Sequence, residues 1–207
     1  MTEAPANRGD LLIYGAGGHG LVVADAALAG GWRVVGFVDD RPAPGLMDRP
    51  AWAPADMPAG PAVIVAIGDN AARQRIAERL RQQGRTPATV VHPSAAVSGF
   101  ATLGPGVFIG PLAVVNARAD VGAGAIVNSG AIVEHHVGVG AFAHVAPGAQ
   151  VGGKASVGAL TLVGLGASVL PGVHVGDRCT VGAGAVILRD VPDGQTIVGV
   201  PGRGIAN

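Results

Sequence analysis

A period of six residues runs without insertion or deletion from Val97 to Ile187, and it constrains the fold of this chain more than any other feature. Every sixth position is aliphatic, from Val97, Leu103, Ile109 and Val115 through to Val175, Val181 and Ile187, fifteen repeats in all. The next residue is usually Gly, as at Gly104, Gly122, Gly140, Gly158 and Gly176, and the fourth residue after each aliphatic one is small. α-Helices repeat at about 3.6 residues and strands at alternate residues, so neither alone gives a period of six. A short strand followed by a tight turn does. The aliphatic and the small residue both point inward, and the Gly is expected to adopt a turn conformation that a Cβ would resist. This is the hexapeptide repeat of a parallel β-helix. Three hexads close one triangular coil, so the repeat predicts about five coils, roughly 24 Å tall at ~4.8 Å per strand.

The first ninety residues read differently. Asp10 to Tyr14, Arg33 to Val38 and Ala62 to Ile67 are short apolar strands. Leu21 to Leu28 and Ala71 to Gln83 are helices, the second stopped by Gly84 and carrying Arg73, Arg75, Arg79 and Arg81 on what reads as a solvent face. Pro42 to Pro61 reads as a loop, and Thr89 to Val91 as a last strand. Strands alternating with helices predict a parallel sheet. The expected organisation is a Rossmann-like α/β domain over 1–92, half of a full dinucleotide-binding fold, followed by the β-helix over 93–207.

Composition excludes several functions. Formal net charge is zero, charged residues are 14% and aromatics 3%, so neither a nucleic-acid groove nor a base-stacking surface is expected. No apolar run reaches membrane-spanning length, and Met1 to Asp10 lacks the apolar core of a signal peptide, so a cytoplasmic protein with no membrane insertion is expected. Cys179, the sole cysteine, falls on an inward small position and reads as packing.

Two stretches carry chemistry. Gly15-Ala16-Gly17-Gly18-His19-Gly20 is a G-x-G-x-x-G loop between a strand and a helix, and Asp39 and Asp40 end the next strand. Such a loop lets main chain approach a phosphate at a helix N-terminus; the alternative is a glycine turn needed only for close packing. With no second half-fold, a nicotinamide cofactor is not expected. The other stretch is Asn128 to His136, which ends in Glu134-His135-His136 at an outward corner, with His144 nine residues beyond His135. An exposed imidazole suits a general base. Adjacent corner residues point apart and no further ligand completes a set, so no metal is expected.

Together these segments resemble the hexapeptide-repeat acetyltransferases of the left-handed β-helix superfamily that modify nucleotide-linked amino sugars, the PglD and NeuD types. The resemblance rests on YGAGGHGLVVAD at Tyr14 to Asp25, FVDD at Phe37 to Asp40 and AIGDN at Ala66 to Asn70. It continues with HPSA at His92 to Ala95, NSGAIVEHH at Asn128 to His136 and VGVPGR at Val198 to Arg203. It implies a left-handed coil, against the usual crossover rule. It implies acetyl-CoA as co-substrate and a UDP-, dTDP- or GDP-linked 4-amino-6-deoxy sugar as acceptor. By the same resemblance His135 is the general base, flanked by Glu134 and His136. Gly17, Gly18, His19, Asp39, Asp40, Gly68 and Asn128 face the nucleotide sugar. His144 faces the thioester, and Gly153, Leu165, Ala183, Gly199, Pro201 and Arg203 track coenzyme A. Homotrimers with active sites between subunits are implied too. O-Acetylation of sialic acid or another sugar hydroxyl is the alternative reaction, and a non-catalytic scaffold binding nucleotide sugar or CoA is the alternative class. Two positions depart from the family: His136 stands where an acid usually follows the base, and Gly202 where Ala is usual.

Overall fold

The computed structural model describes residues 8–41 and 46–205; the remainder of the N-terminal stretch and residues 42–45 of the expected loop lie outside the described residues. In the first domain β1 (Asp10–Tyr14), β2 (Arg33–Val38), β3 (Ala51–Trp52) and β4 (Ala62–Val65) form a parallel sheet of order β3-β2-β1-β4. β3 is a correction, because the segment expected as a loop supplies a two-residue edge strand. Central β1 is buried on both faces, as a near-continuous apolar run in a parallel sheet should be. Helices α1 (Gly18–Ala29) and α2 (Asn70–Gln82) cover the two sides. Asp69 caps α2, its carboxylate accepting the Ala72 N–H at 2.7 Å.

The second domain is a left-handed parallel β-helix of about five coils. Each rung pairs with the residue eighteen positions on, as Ile126 does with His144 and Val127 with Val145, which is three hexads per coil. Its three faces are sheets of eight, six and five strands. The aliphatic and small positions of the repeat meet in one interior cluster, among them Ile109, Ala113, Val127, Ala131, Val145 and Ala149.

The glycines satisfy a different demand from the expected one. The Gly after each aliphatic residue has an ordinary φ, but a Cβ on Gly104 would lie 2.7 Å from the Ala123 nitrogen, and one on Gly122 2.7 Å from that of Ala141. These glycines let successive coils touch through their main chains. The left-handed turn residue sits two positions later, where Gly124 (φ 64°) and Gly130 (φ 62°) alternate with Leu112 (58°), Arg118 (61°), His136 (60°) and Phe142 (55°).

Val90–Val91 is the second correction. It pairs with Phe108–Ile109, so it begins the eight-stranded face of the prism and does not extend the first sheet. Just before it, the Ala88 N–H donates to the Val63 carbonyl, so the chain passes directly from one domain onto the other. The two domains also share a core. Leu11, Ile13, Val23, Ala27 and Phe37 pack in one cluster with Val90, Phe108 and Ile126, which point outward from the eight-stranded face. Among the described residues no helix is long and apolar enough to cross a membrane.

Candidate functional site

That shared core fixes one half of the site. Outward positions on the eight-stranded face follow one another as Val90, Phe108, Ile126, His144 and Leu162. The first rungs are apolar and are covered by the first domain. His144 is the first polar rung, and it emerges where the N-terminal end of α1 crosses the prism. There His19 meets Phe108 edge-on, ring centroids 5.5 Å apart, and His144 at 6.2 Å.

The hydrogen bonds around His144 determine its tautomer. Asn128 Oδ1 accepts the Ser129 main-chain N–H at 2.8 Å, so the amide cannot turn over. Its Nδ2 therefore donates to His144 Nε2, 3.0 Å away. Nε2 carries the lone pair, the proton sits on Nδ1, and the ring's remaining hydrogen bond is to the Gly68 main chain. Burial, aided by the Arg73 guanidinium and the neighbouring His19, pushes the His144 imidazole down to about 4 against that Gly68 bond. Burial and then Arg73 push His19 likewise to about 4. Both rings are neutral at physiological pH, and the buried Nε2 of His19 has no hydrogen-bond partner among the described residues.

Arg73 was not distinguishable in sequence from the other arginines of α2, yet it is 1% exposed. Nε donates to the Gly124 carbonyl at 2.7 Å, Nη1 to Ile67 at 2.8 Å, and Nη2 to Phe142 at 2.7 Å and to Asn70 Oδ1 at 2.8 Å. Among the described residues no carboxylate bonds to it; main-chain carbonyls of both domains and the Asn70 amide oxygen share the charge. Desolvation lowers its pKa to about 10, with Asp69 opposing. The available sequence signal was its place at the head of the buried stripe Arg73, Ala77, Leu80, spaced i, i+4, i+7. Beside this staple a cleft of about 350 Å³ opens between Gly68, Asp69, Asn70 and the prism residues Leu160, Leu162 and Thr180.

The glycine loop divides into two kinds of residue. Gly15 has φ 123° and lies so close to Ala66 that a Cβ would fall 2.6 Å from its carbonyl oxygen, and Gly20 is closed in by the Gly15 carbonyl. Packing explains both. Gly17, Gly18 and Gly68 have ordinary φ, and among the described residues nothing beyond their own chain neighbours and helix backbone lies within 4 Å of where a Cβ would stand. Packing explains none of these three. No side chain caps α1 and no acid occupies its first turn, as suits an anion. Asp39 braces the loop itself, Oδ2 accepting the Ala16 N–H at 2.9 Å and Oδ1 that of Arg41 at 3.0 Å, while Asp40 is exposed.

The second group lies on another edge of the prism. Asn128 follows the eight-stranded face, whereas Glu134, His135 and His136 follow the six-stranded face, one edge further round. Leu165 and Ala183 continue the Asn128 edge in the coils below, and Leu165 is exposed. The His135 ring covers Gly153, where a Cβ would come 2.7 Å from its Cε1 and Nε2. One chain therefore does not bring His135 to His19, Asn128 and His144. In the tail, the Gly199 carbonyl accepts the Val186 N–H at 3.1 Å, Pro201 follows a cis peptide, and Arg203 pairs antiparallel with Val198. At Gly202 a Cβ would lie 2.9 Å from Ile187, Ile197 and the Val186 carbonyl, which accounts for Gly there. Among the described residues no cluster of three or more His, Cys, Asp or Glu could hold a metal ion.

Comparison with known proteins places this geometry. Residues 10–80 match the model of the PglD N-terminal domain family. No protein of curated function matches the sequence. Among solved structures, the acetyltransferase domain of PglB from Neisseria gonorrhoeae FA1090 is 35% identical, with a TM-score of 0.91 over 95% of this chain and 99% of that one. PerB from Caulobacter crescentus, solved with CoA and GDP-perosamine, is 36% identical, with a TM-score of 0.92 over 96% of this chain and 98% of that one. The same PglB domain has also been solved with acetyl coenzyme A, at 36% identity, a TM-score of 0.91, and coverage of 97% and 100%.

Proposed function

This chain belongs to the PglD- and NeuD-type sugar acetyltransferases, and from that premise we propose that it transfers the acetyl group of acetyl-CoA to the amine of a nucleotide-linked amino sugar. The observation that carries the proposal is the end-to-end match to a perosamine N-acetyltransferase solved with CoA and GDP-perosamine. The open glycines Gly17, Gly18 and Gly68 support a nucleotide diphosphate on the first domain, beside the bare N-terminus of α1.

His135 is the general base. Its Nε2 takes a proton from the amine as nitrogen attacks the thioester carbonyl. A main-chain N–H on the prism edge holds the oxyanion, the carbon–sulfur bond then breaks, and the thiolate leaves and is protonated. Because His135 and His144 occupy different edges, a complete site needs His135 from one chain and His19, Asn128 and His144 from a neighbour, as in a homotrimer.

Mass spectrometry of GDP-perosamine after incubation with enzyme and acetyl-CoA tests the reaction. The expected product is the sugar acetylated once, on nitrogen. Acetyl-CoA hydrolysis with no modified acceptor, across UDP-, dTDP- and GDP-linked amino sugars, would overturn it.

A further inference from the structure

Two chain neighbours of His135, Glu134 and His136, could take the place of partner to its ring. Glu134 does not fill that place: its Oε2 accepts the main-chain N–H of His135 at 3.2 Å and so faces the backbone. The His135 ring meets His136 instead, so these adjacent corner residues converge, against the expectation that they point apart. The two Nδ1 atoms are 3.1 Å apart, with the rings perpendicular at 88° and their centroids 5.3 Å apart. His136 stands at the left-handed turn position of its hexad, with φ 60°. On the other side the Lys154 N–H donates to the His135 carbonyl at 3.0 Å, and Gly153 underlies the ring.

Two facing Nδ1 atoms can share only one proton between them. If both were bare, two lone pairs would oppose each other; if both were protonated, two N–H groups would. Of the two allowed arrangements, only Nδ1–H on His135 leaves its Nε2 with the lone pair that a base needs. The Nε2–Cε1 edge of the ring is the part that lies over Gly153, and the residue is exposed. We propose that His136 is the positioning residue for His135: its Nδ1 accepts the His135 Nδ1–H and holds the base in its working tautomer. An acid would add a charge to the same acceptor role; His136 supplies the acceptor alone. When the substrate amine gives its proton to His135 Nε2, the Nδ1–H stays in place and remains donated to His136, and His136 keeps its own proton on Nε2. This inference rests on the reading of His135 as base.

Two substitutions test it. His136→Phe removes the acceptor and keeps a ring, at a turn position whose left-handed φ Phe142 already adopts in the next hexad. His136→Asp restores an acceptor. Nitrogen-15 NMR of the side chains should show His135 as Nδ1–H in the wild type and in His136→Asp, and shifted toward Nε2–H in His136→Phe. Turnover should fall about tenfold or more in His136→Phe, with KM for acetyl-CoA unchanged, and recover in His136→Asp. An unchanged tautomer or unchanged turnover in His136→Phe, while His135→Ala is inactive, overturns the role of His136 alone. Full turnover in His135→Ala overturns the base itself, and this inference with it.

Discussion

Asn128 donates from Nδ2 to His144 Nε2 at 3.0 Å, and the amide is locked in that direction by the Ser129 N–H. His144 is thereby a neutral ring with its proton on Nδ1, beside a second neutral ring, His19. Both are pushed from the usual 6.5 down to about 4, chiefly by burial. The sign follows. A depressed imidazole pKa means that the unfolded chain binds more protons below pH 6.5, so stability is full above that pH and is lost as pH falls toward 4. Each ring contributes on the order of 3 kcal/mol to this loss, and because each would repel the other's charge the two do not simply add. Thermal unfolding should show Tm falling from pH 6.5 to 4, with a shallower fall in His144→Gln. The same slope in that variant would contradict the assignment.

Arg73 ties Ile67 and Asn70 of one domain to Gly124 and Phe142 of the other. Arg73→Met leaves several buried carbonyls unpaired and should cost at least about 3 kcal/mol. Arg73→Lys should recover little, because an ammonium cannot reach acceptors spread around a planar fork. Chemical denaturation measures both.

Gly122 and Gly130 distinguish the two demands on glycine in the hexad. Gly122→Ala should destabilise by about 1–3 kcal/mol, since its Cβ would lie 2.7 Å from the Ala141 nitrogen of the next coil. Gly130→Asn should be nearly neutral despite φ 62°, because nothing lies within 4 Å of the new Cβ and Asn tolerates that φ. Equal costs would refute the distinction.

The contrast between these glycines shows what was legible in sequence and what was not. Strict periodicity reveals which side chains point inward, so Val127, Ala131 and Val133 were assignable to the interior without coordinates. It does not reveal why a position is glycine, because a tight turn and a close backbone contact select the same residue. Pairing partners are equally invisible to local pattern: Val90 and Val91 read as a strand, but nothing in their neighbourhood says that Phe108 and Ile109 are their partners. Arg73 was hidden among surface arginines because its partners are carbonyls, which leave no mark in a sequence. Motif resemblance brought His19, Asn128, His135 and His144 together. Placing His135 on a different edge required counting strands into faces.

That separation predicts complementation. His135→Ala and His144→Ala should each be poorly active, and co-expressed mixtures should regain activity, because mixed oligomers contain sites with His135 from one chain and His144 from another. Mixtures no better than either parent would place the whole site within one chain.

The most direct measurement is free-thiol release from acetyl-CoA by wild type and His135→Ala. The acceptors are UDP-, dTDP- and GDP-linked 4-amino-6-deoxy sugars, with sialic acid for comparison. The account predicts turnover on a nucleotide-linked amino sugar and a loss of about 10²-fold or more in the variant. Turnover confined to sialic acid, or a variant as active as the wild type, would contradict it.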